Sequence, residues 1–189
     1  MRKTTAKKPT RRTGGRSARV SSAVLGAALR LLKKNKRAPT IEEIAEHAGV
    51  ERSTIYRRWK TVEGVVLDAV RDHLQEEIAI PDSGTCREDL LQYLRGGIAF
   101  HRSAIGAVLA RMMVDASEEF RRSYWAARFT EAGAIIERGQ LRGEVRGQVA
   151  GALVIELLIA PLYMRSLVTG EAIQDDLPER LMELLNIFL

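Results

Sequence analysis

The chain has 189 residues and a mass of 21.1 kDa, enough for one or two small domains with buried cores and no metal or disulfide staples. Apolar residues at 46% and charged residues at 29% exclude wholesale disorder, and the single cysteine, Cys86, excludes an internal disulfide framework and fits a reducing compartment. The net charge of +6 is unevenly placed: residues 1–60 hold 17 Lys/Arg against 4 Asp/Glu, while residues 61–189 hold 13 Arg, no Lys and 20 acids. That asymmetry points to a polyanion-binding part joined to something else. No uncharged apolar run approaches the roughly 20 residues of a membrane span, and no apolar segment follows the basic N-terminus as a secretory signal requires. A cytoplasmic protein is expected.

Residues 1–18 are basic and nearly free of large apolar groups, and read as a disordered arm. From Arg19, apolar residues at Val20, Val24, Ala27, Ala28 and Leu31 predict an amphipathic helix, closed by Lys33, Lys34, Lys36 and Arg37 and broken by Pro39. Thr40-Ile41-Glu42-Glu43 reads as a capping box for a short helix whose inner face is Ile41, Ile44, Ala45 and Ala48. Gly49 supplies its left-handed stop. A second short helix, residues 52–59, shares Ile55 and Trp59 on one face. A further helix from Val62 to about Glu77 carries Val62, Val66, Ala69 and Leu74.

Pro81-Asp82-Ser83-Gly84 is a turn cluster. Beyond it the periodicity stays helical, through Leu90, Leu91, Leu94 and Ile98, then Ile105, Val108, Leu109 and Met112, then a longer helix ending near Gly139. Residues 149–168 are almost wholly apolar, with only Glu156 and Arg165 charged, and a last helix carries Leu177, Leu181, Leu184, Leu185 and Phe188. No alternating period-2 run appears. The expectation is an all-α fold of about nine helices: a disordered arm over 1–18, a helix-turn-helix domain over 19–61, and a ligand-binding and dimerisation domain over 62–189, of which 62–80 is the connecting helix.

A helix, a three-residue Gly-containing turn and a second short helix form a helix-turn-helix unit. Apolar inner residues lock the angle between the two helices, and the other face of the second then meets the roughly 12 Å major groove. That face offers Arg52, Ser53, Thr54, Tyr56, Arg57, Arg58 and Lys60. Arginine pairs bidentately with guanine, whereas hydroxyls and lysine suit phosphates, which position the protein without specifying sequence.

The stretch TIEEIAEHAGVERSTIYRRWKTVEGVVLDAV resembles the DNA-binding domain of TetR-family transcriptional regulators. The pattern is carried by Thr40, Ile44-Ala45, Ala48-Gly49-Val50, Thr54-Ile55-Tyr56 and Trp59. Residues 137–173 resemble, more weakly, the effector domain of one branch of that family. The resemblance implies an all-helical homodimer that represses transcription and leaves a palindromic operator when a small molecule binds. It also implies phosphate contacts by Thr40 and Tyr56, and base-facing positions at Arg52, Ser53 and Arg57. Two positions depart from the family pattern. Glu51 replaces the usual Ser, a weaker cap for the recognition helix. Val62 replaces the usual Lys, so that phosphate contact is absent; Lys60 stands two residues earlier. The eight Lys/Arg of residues 1–19 either follow the DNA minor groove or backbone, or form a solvated tail.

An apolar helix over 149–168 must be buried on every side, so it and the last helix predict a dimer interface, with Gly151, Ala152 and Ala160 allowing close approach. A membrane anchor is disfavoured by length, by Glu156 and by Pro161. Candidates for an effector pocket are Tyr93, Leu94, Phe100, His101, Met112, Met113, Trp125 and Phe129, each equally explicable as core filling. The Gly96-Gly97 pair allows a kink or close packing beside a cavity. The absence of lysine slightly favours a neutral or cationic effector over an anion. The connecting helix, residues 62–77, is expected to be the sole element joining reading head to receptor. His47 and His101 read as surface or internally satisfied side chains. The three histidines share no ligand spacing, and neither a phosphate loop nor a nucleophile elbow is present, so no enzyme, metal site or cofactor is expected. Two alternatives stay open: a constitutive DNA-binding regulator without an inducer, and a non-specific architectural or RNA-binding helical protein.

Overall fold

The computed structural model describes residues 14–77 and 80–185, all helix and connection, with no strand among them. The helices are α1 (Gly14–Asn35), α2 (Ile41–Ala48), α3 (Arg52–Trp59), α4 (Val62–Glu77), α5 (Cys86–Arg102), α6 (Ala104–Asp115), α7 (Glu118–Leu141), α8 (Gly151–Tyr163) and α9 (Leu177–Leu185). Helix α1 begins five residues before the expected Arg19, so residues 14–18 are helical rather than part of an arm. Ser21 Oγ–H donates to the Ser17 carbonyl inside this first stretch. Residues 1–13 of the expected arm, the Leu74 side chain and Phe188 lie outside the described residues.

Helices α1 to α3 and the first turns of α4 enclose one core. Val24, Ala27, Ala28 and Leu31 of α1 meet Ile41, Ile44 and Ala45 of α2, Ile55 and Trp59 of α3, and Val65 and Ala69 of α4. A second core straddles the two halves of the molecule. Leu32 of α1 and Val66 and Val70 of α4 pack on Ile105, Val108, Leu109 and Met113 of α6 and Tyr124 of α7. So α4 is not the sole connection: the end of α1 also rests on α6.

The C-terminal half, the candidate receptor half, is organised around α7 and α8. A Cβ on Gly151 would lie 2.4 Å from the Gly133 carbonyl oxygen, and one on Gly133 would lie 2.9 Å from the Ala152 nitrogen. The two backbones touch there, and no side chain fits between them. Gly151 is therefore spent inside the chain, against α7, and not on an outer face as expected.

Helix α8 carries Pro161 and gives way at Met164 to a six-residue π-helical run, Met164–Thr169, stopped by Gly170 in the left-handed region. Together they form 19 continuous apolar-rich residues, long and apolar enough to cross a membrane, so length does not exclude an anchor; Glu156, Arg165 and Pro161 still weigh against one. The helix is not buried on every side either. Ile155, Leu158 and Leu162 face the core, but Leu153, Leu157, Met164, Leu167 and Val168 are exposed, as is Leu184 of α9.

The 80–86 connection is pinned by charge. Asp89, fully buried in the first turn of α5, accepts from the Ser83 backbone N–H at 2.6 Å and lies 3.6 Å from Arg138 and 4.0 Å from Arg142. Burial pushes its carboxyl up, but the Ser83 bonds and the two guanidinium groups outweigh that and hold it below its usual value. Arg138 also donates to the Pro81 carbonyl. Cys86 is buried beside this cluster, and desolvation pushes its thiol up to about 11, so it is no ready nucleophile.

Candidate nucleic-acid interface and effector cavity

Local signals set the reading head. Thr40 Oγ accepts from the Glu43 N–H at 3.2 Å while the Glu43 carboxylate accepts from the Thr40 N–H at 2.8 Å, completing the capping box of α2. Arg37 adds a 2.5 Å ion pair to the same carboxylate. The Arg37 bond and the Thr40 backbone bond hold Glu43 down at about 2. Gly49 ends α2 at φ 64°, and Val50 starts the turn into α3. Glu51 stands at the N-cap of α3 with no side-chain cap bond, as its chemistry predicts.

Helix α3 buries Ile55 and Trp59 and turns its other side to solvent. Ser53, Tyr56 and Arg57 are exposed on that side, Thr54 is half-buried, and Lys60 is exposed at the end. The structure separates two residues from this group. Arg52 pairs with Glu42 of α2 at 3.2 Å, an exposed bridge of the kind that contributes little and exchanges partners easily. Arg58 folds back over the Trp59 ring, 5.0 Å from its centroid, and lines a groove between α1 and α4. Thr40 sits at the head of α2, its hydroxyl already engaged in the capping box.

The joint between α3 and α4 has no slack. Lys60 is held at φ 61°, ψ −39°, and the Thr61 N–H donates to the Trp59 carbonyl at 2.6 Å, the geometry of a classic γ-turn, which is rare and strained. Thr61 Oγ then accepts from the Gly64 N–H at 3.2 Å, capping α4. A Cβ on Gly64 would lie 2.9 Å from the Trp59 oxygen. One turn further on, Asp68 accepts from the Trp59 indole N–H at 2.8 Å, and Arg71 pairs with Asp68 at 3.0 Å. Sequence periodicity marked Trp59 as a core residue; its polar tie to Asp68 was not foreseen.

The effector candidates divide between two neighbouring spaces. Tyr93, Leu94, Phe100, His101 and Trp125 line a cavity of about 50 Å³ enclosed by α5, α7 and α8. Met113, Trp125 and Phe129 line an open groove of about 510 Å³ between α6, α7 and α8. Met112 lines neither and packs against the interdomain core. His101, expected at the surface or satisfied, is buried in the cavity wall with its ring edge-on to Tyr163 at 4.9 Å, and burial lowers its pKa, leaving it neutral. His47 is exposed, as expected. Helix α5 runs unbroken past Gly96-Gly97, and Gly97 lines the cavity. Sequence reasoning missed five further members, Tyr124, Arg128, Ile159, Leu162 and Tyr163.

Residues 24–69 match the family model for bacterial regulatory proteins of the tetR family, and residues 80–185 match that for the tetracyclin repressor-like C-terminal domain. The chain is 32% identical over 148 residues to the HTH-type transcriptional regulator AqdR of Rhodococcus erythropolis, covering 76% of this chain and 72% of that one. It is 28% identical over 160 residues to the HTH-type regulator YdeS of Bacillus subtilis, covering 81% of each. The fold is similar to the crystal structure of the TetR family regulator SCO0332, with a TM-score of 0.76, 24% identity, and coverage of 88% of this chain and 97% of that one. It is also similar to FadR from Bacillus subtilis in complex with stearoyl-CoA, with a TM-score of 0.63, 17% identity, and coverage of 87% and 96%. An outward-facing basic helix held by a helix-turn-helix core, joined to a second helical domain and matched at both ends by the same family, makes this chain a DNA-binding transcriptional regulator of the TetR family.

Proposed function

We propose that this protein is a ligand-responsive repressor that binds a palindromic operator as a homodimer in the bacterial cytoplasm. The observation that carries the reading is the face of α3. Arg57 and Ser53 point away from the buried Ile55–Trp59 side, with Tyr56 beside them 49% exposed, where a major groove would meet them. In this reading Arg57, Ser53 and Arg52 address bases, while Thr40, Thr54, Tyr56, Arg58 and Lys60 address phosphates. Arg52 first leaves Glu42 and Arg58 first swings off Trp59, both inexpensive moves at the surface. The exposed apolar stripe of α8 and Leu184 of α9 supply the self-complementary surface that two half-sites require. The basic residues 1–13 add charge along the backbone.

The stearoyl-CoA bound by one structural neighbour supports a small-molecule signal, and the cavity and groove behind α6 and α7 are the place for it. A second reading, a constitutive regulator with no inducer, is favoured by the small enclosed volume of about 50 Å³, which lies below that of ordinary ligand pockets at about 300–1,000 Å³.

Gel shifts with DNA flanking the protein's own gene test the function. Specific binding should persist against competitor DNA. Arg57→Ala should relax sequence choice by about 1–3 kcal/mol, and Lys60→Ala should weaken all sequences alike. Leu153→Glu with Leu157→Glu should give a monomer in sedimentation and lose operator binding. Intact operator binding by both Arg57→Ala and Lys60→Ala would refute the orientation given to α3.

A further inference from the structure

Aromatic residues are scarce in this chain, at 5%, yet they are concentrated at one place. Three of the four tyrosines, one of the two tryptophans and Phe100 line the 50 Å³ cavity between α5, α7 and α8. Trp125 is the hub of the cluster: it meets Tyr163 at 5.0 Å and 90°, meets Tyr124 at 5.0 Å and 83°, and stacks on Phe129 at 5.3 Å and 22°. Each buried tyrosine hydroxyl needs a partner, and for Tyr93 that partner is Arg128.

One charged side chain enters this wall. Arg128 lines the cavity with its side chain only 17% exposed. Arg128 donates a hydrogen bond to the Tyr93 hydroxyl, and its ion pair with Glu131, on the solvent side at 3.9 Å, is too long for a hydrogen bond. Among the described residues, no acid lines the cavity. Burial pushes the Tyr93 and Tyr124 hydroxyls up, Tyr124 to about 12, with Arg128 opposing the shift in both, so these groups are neutral donors beside a fixed positive charge.

We propose that this cavity receives a small planar aromatic carboxylate, its anionic group held by Arg128 and its ring held among Trp125, Tyr163 and Phe100. The proposal rests on the ligand-responsive reading above and assigns its ligand class. An aromatic cage by itself suits a cation, but a guanidinium already within the cage repels one. A carboxylate accepts the two-pronged bond that arginine presents, and the tyrosine hydroxyls can donate to its remaining lone pairs. The absence of lysine from this half is thus a misleading guide to ligand charge. The 50 Å³ cavity is smaller than the ring, so the ring sits across the Trp125–Tyr163 pair, the door to the 510 Å³ groove that Trp125, Ile159 and Tyr163 also line. Tyr124 belongs both to the cavity wall and to the interdomain core with Val66 and Val70 of α4, so an occupant that displaces it reaches the reading head.

The test is calorimetry on the full chain with 2-naphthoate, its neutral isostere 2-naphthamide, and the aliphatic anion decanoate. The naphthoate should bind about tenfold or more tightly than either of the others, and Arg128→Gln, checked for folding by circular dichroism, should erase its advantage over the amide. Gly97→Leu, which fills the cavity and retains the arginine, should abolish binding of both aromatic compounds. Equal affinity of acid and amide, an advantage that survives Arg128→Gln, or no naphthoate binding at millimolar concentration overturns the proposal; the first and third comparisons need no variant to fold. Anisotropy of a labelled operator separates the two levels. Naphthoate that binds through Arg128 yet leaves the operator bound refutes ligand response and keeps the site. Operator release by the amide keeps ligand response and refutes the anion anchor, and release by decanoate keeps ligand response and refutes the aromatic cage.

Discussion

A methyl group added to Gly64 meets the Trp59 carbonyl oxygen at 2.9 Å, whereas the same group added to Gly97 meets nothing within 4 Å. The first position is the joint of the reading head, the second the wall of the receptor cavity. The joint itself is tight, although a groove opens beside it between α1 and α4: a γ-turn, a glycine contact and the indole–Asp68 bond fix α3 to α4 within ten residues. The receptor half keeps unfilled space, an open groove and an exposed apolar stripe. Recognition of a duplex needs side chains at fixed positions, while response to a signal needs an element with room to move.

The two tryptophans give the largest test of this contrast. Trp59→Ala should cost about 3–5 kcal/mol in urea denaturation, because it empties the centre of the head core. Trp125→Ala should cost only about 1–2 kcal/mol, because one side of that ring already faces open space. Equal losses would break the comparison. The two glycines sharpen it. Gly64→Ala should destabilise by about 1–3 kcal/mol and weaken operator binding as the joint is forced apart. Gly97→Ala should stabilise by about 0.5–1 kcal/mol, the ordinary helical gain of alanine over glycine. A smaller change is expected at the γ-turn, where Lys60→Gly should relieve about 1 kcal/mol of left-handed strain while weakening all DNA sequences alike.

The smallest effect is a titration. Glu43 is held at about 2, below its ordinary 4.5, chiefly by Arg37. Its contribution is complete above the unfolded value and is lost as the pH falls through about 2. The carboxyl carbon of Glu43 should therefore show its NMR midpoint well below that of an unpaired glutamate, and Arg37→Ala should return it towards 4.5.

The head was legible in the sequence because its determinants are local. Thr40 and Glu43 are three residues apart, Gly49 follows the helix it stops, and Ile55 and Trp59 are one turn apart, so each signal fits within a short window. The start of α1 was hidden because Gly14-Gly15 and the nearby cations read as a solvated tail. The cavity was only partly legible. Arg128 has Glu131 one turn away, a spacing that reads as an ordinary surface pair, and only the distant partners Tyr93 and Tyr163 reveal its inward side. Tyr163 was concealed within an apolar run whose helix gives way at the next residue. Asp89, Arg138 and Arg142 are separated by about fifty residues, beyond any periodic pattern.

On the proposed reading of two half-sites by a homodimer, the unyielding turn at Lys60 has an evolutionary corollary. Letters of a half-site can be rewritten by replacing two or three outward side chains on α3, with nothing behind them disturbed. The number of base pairs between half-sites cannot change that way, since neither reading helix swings alone; it is fixed by how two whole subunits lean on each other. Descendants of this protein should therefore drift quickly in the words they read and slowly in the distance between those words.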